Sequence, residues 1–476
     1  MSYLKFIPQA DKRRASSSTV PIDFVNVHLE PTPVGAAKRS EFFVTSRPGM
    51  VAVATLPANV RGLFAAPGCR NGNLFAPAGD ALFEVFSSYS FSNVGMLSGG
   101  DVVTMVAYRD DLALEAFGQL KFYDGALLDS VVDVDAPADA GGLAAVALRL
   151  VSFEDGAVAF GWSEAGAPLT WPSDGEAATP DLSDPIVTVA EINERLWVFG
   201  ARKIRPWQAT GAPAEADAFT KATDQAIARG IAGPHAKAPV SDGELGFLGE
   251  NRVAHKTQGL SVVPLPYPSM EAALKALTPA QLADVVCWGY EDASRRFWGV
   301  SAGLEQAFVR DETSGLWAEW KSYGKAVFDI DFAANAFGET IVGSRSSAVL
   351  SALRTGVYTD NDEPIVREFT IHISSAGDVP VDRLVFDIDT VDVPLSGEGS
   401  EPKMQVATSV DNGRSWVQHE DVDLPHVNNR FRAMMWALGL ANAVDGMLVR
   451  CSISGPFGFA AYGIWVNPDD TEITMA

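Results

Sequence analysis

The stretch that decides the fold begins with Glu191-Ile-Asn-Glu-Arg-Leu-Trp-Val-Phe-Gly200 and continues with Arg202-Lys-Ile-Arg-Pro-Trp-Gln-Ala-Thr-Gly211. An acidic turn followed by alternating apolar residues predicts a β-hairpin. Further along, Ala238-Pro-Val-Ser-Asp-Gly-Glu-Leu-Gly-Phe-Leu248 predicts a strand, an Asp-Gly turn and a second strand. The chain is therefore organised around short strands closed by tight turns. This pattern indicates an all-β fold and, by itself, no chemistry.

Similar units lie on both sides of this stretch. Paired apolar strands around turns occur at 63–86, 102–122, 145–162, 245–263, 285–320 and 327–353. With the opening hairpin the count is about seven, and each unit spans roughly 40 to 50 residues, the period of four-stranded propeller blades. We therefore predict a β-propeller-like domain over residues 51–355. A double β-sandwich would show similar spacing.

One segment interrupts the strand pattern, and we predict a helical insertion over residues 269–286. Ser269 is the expected N-cap of a first helix. Thr278 is the expected N-cap of a second, with Pro279 at its first helical position and Gln281 three residues after the cap. A two-helix excursion packed over a sheet edge is the expected result.

The segments on either side of the propeller differ in character. Residues 1–50 are interpreted as an N-terminal arm, because the strand from Pro21 to Pro31 is bounded by prolines and has no obvious partner in its own segment. We expect this strand to pair with a neighbouring copy or with the ring of a partner protein. Residues 356–476 alternate cleanly and predict a C-terminal β-sandwich-like domain. Its segment 429–442 has helical propensity, but two strands are preferred because the alternation resumes at Met447.

The charge limits the partners of the chain. With 36 basic and 60 acidic side chains, the net charge is −24. A surface that wraps nucleic acid through its phosphates is therefore improbable. An acidic passage would instead repel phosphates and let a duplex slide through, although solubility alone explains the acidity equally well. No apolar stretch is long enough for a membrane-spanning helix, so no membrane anchor is expected, and the start of the sequence lacks a signal-peptide pattern.

No catalytic, cofactor or metal site is predicted. Cys69, Cys287 and Cys451 are far apart and are interpreted as buried free thiols. The histidines show no metal-binding spacing; they are His28, His235, His255, His372, His419 and His426. Phosphate-binding loops, dinucleotide fingerprints, zincin motifs and nucleophile elbows are absent from the sequence. We therefore expect a protein that is not an enzyme, and predict that it cleaves no sialoside or other glycoside.

The sharpest motif is Ser409-Val-Asp-Asn-Gly-Arg-Ser-Trp416, which matches the Asp-box of sialidase-like propellers. Its expected elements are Ser409, Asp411, Gly413 and Trp416: an acidic side chain that accepts local backbone hydrogen bonds, a glycine at positive φ and an aromatic cover. The box is structural. A glycosidase would also need two facing carboxylates, or an arginine cluster with a tyrosine nucleophile, and nothing in the sequence marks them.

Several segments in order along the chain resemble the packaged-DNA stabilisation protein, or tail hub (tail accessory factor), of short-tailed podovirus phages. The resemblance is carried by Ile22 to Pro33, Ser46-Arg-Pro-Gly-Met50, Val198 to Gly211, Arg229-Gly-Ile-Ala-Gly-Pro234 with Lys237-Ala-Pro239, the insertion from Ser269 to Asp284, and the turn from Ser409 to Gly413. The stretch from about 70 to 180 shows no clear match.

This resemblance implies a structural virion protein of the phage tail, made in the host cytoplasm. Copies are expected to form a ring of six that attaches below the portal and its adaptor as part of the head-to-tail connector. The ring would close the DNA channel, let duplex DNA pass without specific binding, and anchor a tail needle or plug and tailspikes or tail fibres. The alternative is a sialidase-like or carbohydrate-binding propeller. A second alternative is a propeller scaffold of bacterial origin.

Overall fold

The computed structural model describes residues 2–5, 24–32, 41–179, 181–182, 184–211, 218–241, 243–292, 295–373, 378–426, 433–441 and 446–468. The first residues of the strand predicted from Pro21, at 21–23, lie outside these ranges, as does residue 33 of the resembling segment 22–33. Residues 429–432 and 442 of the ambiguous segment 429–442 also lie outside them.

Five strands precede the propeller blades. They are β1 (Ser2–Lys5), β2 (Phe24–Val25), β3 (Val27–Pro31), β4 (Phe42–Ser46) and β5 (Gly49–Thr55).

Seven propeller blades of antiparallel strands follow in the described part of the chain; five are separate sheets, blade 6 belongs to a 10-stranded sheet and blade 7 to a 6-stranded sheet. Blade 1 contains β6 (Leu74–Ala78), β7 (Ala81–Val85) and β8 (Phe91–Met96); blade 2 contains β9 (Thr104–Tyr108), β10 (Asp111–Ala116), β11 (Gln119–Tyr123) and β12 (Leu128–Ser130); blade 3 contains β13 (Ala140–Val146), β14 (Arg149–Glu154), β15 (Ala159–Trp162) and β16 (Glu176–Ala178). Blade 4 contains β17 (Ile186–Ile192), β18 (Arg195–Gly200), β19 (Ile204–Ala209) and β20 (Phe219–Lys221); blade 5 contains β21 (Lys237–Ser241), β22 (Glu244–Leu248), β23 (Ala254–Gln258) and β24 (Ser261–Pro264). Blade 6 contains β25 (Val286–Asp292), β26 (Arg295–Ser301), β27 (Gln306–Asp311) and β28 (Trp317–Lys321); blade 7 contains β29 (Phe332–Ala336), β30 (Glu339–Gly343) and β31 (Val349–Arg354). The predicted propeller of about seven blades is confirmed.

The strand β18 shows why this sequence makes stacked blades. Successive side chains of a strand point to opposite faces of its sheet. Leu196 and Val198 pack into a core shared with blade 3, whereas Trp197 and Phe199 pack into a core shared with blade 5. Both faces of the blade are buried, so the strand is apolar at every position from Leu196 to Phe199. A polar residue at any of them would face a neighbouring blade.

The strand β5 closes the propeller. It pairs antiparallel with β31, so the outermost strand of blade 7 comes from residues that precede blade 1. At the inner edge of blade 1, the chain from Val60 to Phe64 makes isolated bridges with β6 rather than a regular strand. Closure therefore joins two parts of the chain that are about 300 residues apart.

Two short helices lie between blades 5 and 6, as predicted: α1 (Pro268–Leu274) and α2 (Pro279–Ala283). Thr278 caps α2, and its side chain and that of Gln281 form a reciprocal capping box, which confirms that prediction. The prediction of Ser269 as N-cap of α1 is wrong. Tyr267 is the N-cap, and its side chain makes no capping hydrogen bond. Pro268 is the first helical residue, and Ser269 is buried. Neither helix in the described ranges is long and apolar enough to cross a membrane.

A β-sandwich stands beside the propeller, and the strands after blade 7 supply most of it. These strands are β32 (Thr359–Asp360), β33 (Glu363–Pro364), β34 (Arg367–Ile373), β35 (Val379–Val391), β36 (Lys403–Ser409), β37 (Val417–Gln418), β38 (Val422–Asp423), β39 (Ala433–Ala441), β40 (Met447–Ile453) and β41 (Gly458–Val466). One sheet has the order β3-β4-β41-β35-β39, with β1 also paired to β41. The other has the order β2-β34-β40-β36-β37, and β2 joins it to blade 6. The preference for strands at 433–441 and 447–453 is confirmed.

The N-terminal strands are an integral part of this sandwich. Val27, Leu29 and Val44 are buried in its core, and β2 pairs with β28 of blade 6 on one side and β34 of the sandwich on the other. The expectation that the strand ending at Pro31 pairs with a neighbouring copy therefore does not hold for residues 24–31. Its partners are distant in sequence, and a local apolar pattern does not reveal such partners.

Candidate functional site

The first candidate site is the central channel of the propeller. The first strands of neighbouring blades lie side by side around it, and they line a cavity of about 590 Å³. The walls come from residues 62–67, 102–105, 237–241, 286–291 and 332–335. Most of these residues are apolar. One rim carries Glu291 and Arg296, whose charged groups are 3.5 Å apart.

Lys237 is a partly buried cation in the wall of this channel. Its Nζ donates to Thr188 Oγ1 at 2.6 Å and to the Pro234 carbonyl at 2.6 Å. Burial lowers the pKa of this ammonium group to about 8. The two acceptors belong to blade 4 and to the chain entering blade 5, so Lys237 fixes the contact between these blades. In blade 2, burial raises the pKa of Glu115 to about 7, although its carboxylate accepts a hydrogen bond from Gly118 N at 3.0 Å.

The dimensions of the channel limit what it can hold. The cavity of about 590 Å³ is lined by residues of blades 1, 2, 5, 6 and 7, and a space about 12 Å wide and about 8.5 Å deep would fill that volume within a length of about 6 Å. The major groove of a DNA duplex alone is about 12 Å wide and about 8.5 Å deep. A duplex therefore does not fit inside the propeller, and any passage for DNA must lie outside a single chain.

The second candidate site is the buried junction between propeller and sandwich. The Arg47 side chain is fully buried and forms a two-point ion pair with Asp360, with Nη1 to Oδ1 at 2.9 Å. Its Nε donates to Asn26 Oδ1 at 2.9 Å, and its guanidinium lies 5.1 Å from the Trp320 ring centroid. Asn26 in turn donates to the carbonyls of Lys321 and Val366 at 3.1 and 2.7 Å. One polar network thus joins blade 6, the strand entering blade 7 and the sandwich.

Arg295 of blade 6 makes a second connection at this junction. It pairs with Glu30 at 2.6 Å and with Asp311 at 2.6 Å, and it donates to the Leu29 carbonyl at 3.2 Å. Next to it, His28 packs between the rings of Phe297 and Trp320, and burial lowers the pKa of that imidazole to about 3. The strand β3 is therefore held to blade 6 by charge as well as by packing.

The Asp-box-like turn lies in the sandwich, between β36 and β37, rather than in a blade. Asp411 Oδ1 accepts from Ser409 Oγ at 2.7 Å and from Ser415 N at 2.9 Å, and Gly413 has φ +82°. The hydrogen bonds from Ser415 lead the set that holds the pKa of Asp411 at about 2. Trp416 is half-buried, and the Arg450 guanidinium lies 4.3 Å from its ring centroid. Trp416 thus packs against an arginine on the sandwich surface.

The remaining candidate groups do not converge. All three cysteines are free and buried, which confirms that prediction. Burial raises the pKa of the Cys287 and Cys451 thiols far above the usual range. No cluster of three or more His, Cys, Asp or Glu side chains suited to a metal occurs within the ranges that the structure describes.

Sequence reasoning missed the residues of the junction. Asn26 and Arg47 belong to two of the segments that carry the family resemblance, yet nothing local marks them as neighbours of Asp360. One signal was available. Asn26 stands between Val25 and Val27 in an apolar strand segment, where a buried amide side chain needs hydrogen-bond partners.

Comparisons with known proteins agree with this architecture. The sequence matches the family described as "Phage_stabilise: Bacteriophage P22 Gp10, beta-propeller" over residues 12–355, which is well over half of the chain. A search of curated proteins found no significant match.

Three solved structures are similar to this chain at low identity, each with a TM-score below 0.5. A chain of the mitotic checkpoint complex is 10% identical with a TM-score of 0.38, over 68% of this chain and 96% of that one. The extracellular domain of a putative hybrid two-component system of B. thetaiotaomicron is 8% identical with a TM-score of 0.43, over 82% and 47%. PorZ of Porphyromonas gingivalis is 11% identical with a TM-score of 0.38, over 80% and 46%. The chain spans about half the length of the last two. Their functions say nothing about that of this chain.

Proposed function

Because this chain belongs to the phage-stabilisation β-propeller family of bacteriophage P22 Gp10, we propose that it is the tail hub of a short-tailed phage. Copies form a ring, which we take to be a homo-hexamer, below the portal and its adaptor. The ring closes the DNA channel after packaging and anchors the tail needle or plug and the spikes or fibres. The observation that carries this proposal is the family match across all seven blades.

Two structural features support a load-carrying role. The propeller is closed by a strand from the opposite side of the blade series, and the sandwich is joined to it by the buried network around Arg47. A protein that holds pressurised DNA must transmit force between its partners. Two domains that share a continuous sheet through β2 can do so without a hinge.

We also propose that retention needs no grip on DNA and no catalysis. Holding a duplex by its phosphates requires many Lys and Arg contacts, and a chain with a net charge of −24 is poorly suited to that. The DNA passage is then formed between copies, because the channel inside one propeller is too narrow. Its lining is neutral or acidic, so that DNA leaves freely on ejection.

The test uses phage particles made without this protein. They should package DNA and then leak it, measured as DNase-sensitive DNA after purification, and adding the purified protein should restore retention. The isolated protein should not bind duplex DNA at physiological salt. Submicromolar, salt-sensitive DNA binding would overturn the mechanism, and full retention without the protein would overturn the proposed function.

A further inference from the structure

The two ends of the propeller are built from different loops. Within an antiparallel blade, the turn between the second and third strands and the connection to the next blade lie at the same end, which we call the loop face. On blades 1 to 3, five segments of the loop face are residues 79–80, 97–103, 117–118, 131–139 and 154–158, and the connection from blade 3 to blade 4 is not counted with them because its Asp181 pairs with Arg205 and Lys221 of blade 4. These five segments are called the acidic sector.

The acidic sector carries charge of one sign. It contains seven carboxylates and no lysine or arginine; the acids are Asp80, Asp101, Asp133, Asp135, Asp139, Glu154 and Asp155. Six of them are exposed and Asp133 is half-buried. None of the seven makes an ion pair with another described residue. The nearby Arg61 is buried beneath them and donates to the carbonyls of Gly79, Ser98 and Asp101.

The rest of the loop face has a different charge balance. The corresponding segments of blades 4 to 7, at 201–203, 222–236, 249–253, 265–285, 302–305, 322–331 and 344–348, contain seven basic and seven acidic residues. Several of these charges are paired, as in Lys325 with Asp329 and Arg345 with Asp284 at 2.7 Å. The acidity of blades 1 to 3 is therefore local and does not simply reflect the net charge of the chain.

The same sector exposes large apolar side chains. Val132 and Val134 are 89% and 92% exposed, and Phe117 is 61% exposed. Met96, at the end of β8, is 65% exposed, and Val158 is 49% exposed. Single exposed apolar residues are ordinary, whereas several of them among unpaired carboxylates are typical of an interaction surface.

Hydrogen bonds join the sector into one ordered surface. Leu97 N donates to the Asp80 carbonyl at 2.9 Å within blade 1, and Ala140 N donates to the Gly118 carbonyl at 2.8 Å between blades 2 and 3. Asp155 N donates to the Asp139 carbonyl at 2.7 Å.

The most exposed loop is also held in place. Asp133 accepts from the backbone N–H groups of Asp135 and Trp171 at 3.0 and 3.1 Å. Val132 and Val134 are thus presented to solvent by a fixed loop, which reduces the entropy lost when a partner binds.

We propose that the acidic sector is the docking surface for a partner protein of the tail whose contacting face carries lysine and arginine around apolar side chains. Like charge disfavours the same sector of a second copy, and it also disfavours nucleic acid. Opposite charge steers the partner, and the apolar residues supply the dry centre of the contact. This inference rests on the proposed tail-hub function, which makes the partner a tail protein. It places one partner contact on blades 1 to 3, away from the sandwich.

The first test is zero-length carbodiimide cross-linking of intact virions, which joins carboxylates to lysine amines in direct contact. We expect adducts from the acidic sector to lysines of a different polypeptide. Adducts to lysines of a second copy would overturn the proposal. So would the absence of adducts from the sector while carboxylates elsewhere on the chain react.

The second test compares three double variants in rebuilding particles that lack the protein. D135K/D155K reverses two charges of the sector, and V132S/V134S removes its most exposed apolar groups. D110K/E194K makes the same charge change on exposed turns at the opposite end of the propeller. The side chains of these residues accept no described hydrogen bond, so all variants should fold, as checked by their melting temperatures.

We expect both sector variants to incorporate about tenfold less than wild type, and the control to incorporate normally. Incorporation of wild type should also fall with rising salt. Equal incorporation of all four proteins would overturn the docking surface and leave the hub function standing. If the control variant lost as much incorporation as the sector variants, the docking surface would not be located in the acidic sector. Failure of wild type to restore DNA retention would overturn the hub function and this inference with it.

Discussion

The propeller and the sandwich are both all-β, but they are assembled in opposite ways. Blade 4 consists entirely of one continuous stretch from Ile186 to Lys221. In the sandwich, Phe24 pairs with Phe369 and Val44 pairs with Ala461. The strands of a blade are therefore close together in the sequence and pair through hairpins and turns, whereas the sandwich depends on pairing between distant parts of the chain. This difference sets where the molecule is vulnerable.

The largest expected effect is the loss of the sandwich when residues 1–33 are removed. The truncation deletes Val27 and Leu29 from the sandwich core and removes β2 from between two sheets. The truncated protein should not merely fail to assemble; its sandwich should unfold and become sensitive to limited proteolysis. V27D should reproduce the loss, and V132D, at an exposed position, should not. If the sandwich of the truncated protein resisted proteolysis, its folding would not depend on pairing with the N-terminal strands.

The next effect concerns the junction that unites the two domains. Replacing Arg47 with methionine leaves the Asp360 carboxylate buried without its partner, which typically costs about 3 to 5 kcal/mol. R354M removes an ion pair with Glu339 that is partly exposed, and should cost about 0 to 1 kcal/mol. Denaturant unfolding measures both. Similar losses for the two variants would contradict the importance assigned to the junction.

A smaller, pH-dependent effect is expected inside blade 2. The pKa of Glu115 is raised from 4.5 to about 7 by burial, so the folded state binds more protons than the unfolded state between these values. The free energy of unfolding should therefore fall as pH rises from about 4.5 to about 7, by roughly 3 kcal/mol at most. E115Q should lack this slope and should be more stable than wild type at pH 8. A slope that persists in E115Q would assign it to another group.

The smallest effect is expected at the turn from Ser409 to Trp416. D411N should leave the melting temperature nearly unchanged, because the turn is exposed, and should speed amide exchange at Ser415, whose N–H donates to Asp411. G413A should cost more than D411N, since Gly413 has φ +82°. If D411N destabilised the protein as much as R47M, the turn would have a wider structural role than its contacts indicate.

The sequence predicted what is local. It predicted the blade hairpins, including the pairing of β21 with β22, the capping box of Thr278 and the strands at 433–441 and 447–453, because each depends on neighbours a few residues away; Asp242 of the predicted Asp-Gly turn lies outside the described residues. It misplaced residues 24–46, because the partners of Val27 and Val44 lie hundreds of residues further on. The N-cap at Ser269 failed for a related reason. The preceding proline begins the helix two positions earlier than predicted, and Ser269 is buried.

The candidate sites follow the same rule. The buried network forms only after both domains have folded and brought together Arg47, Asn26 and Asp360. The spacing of these residues in the sequence therefore does not predict that they are neighbours. Val132 and Val134 lie outside the strand units predicted from the sequence, and only the folded loop shows that both are almost fully exposed. The family resemblance does not depend on these contacts, because it rests on short segments rather than on the pairs that the segments form.

The strand β5 also sets the order of events during synthesis. It emerges from the ribosome long before β31, its pairing partner in blade 7. Translation at about 5 to 20 residues per second separates the two by roughly 15 to 60 s. For that time neither the ring of blades nor the sandwich can close, and the edge of β5 stays available to other chains. Non-local pairings of this kind fold slowly, so newly made subunits should become competent for assembly only after a delay that follows completion of the polypeptide.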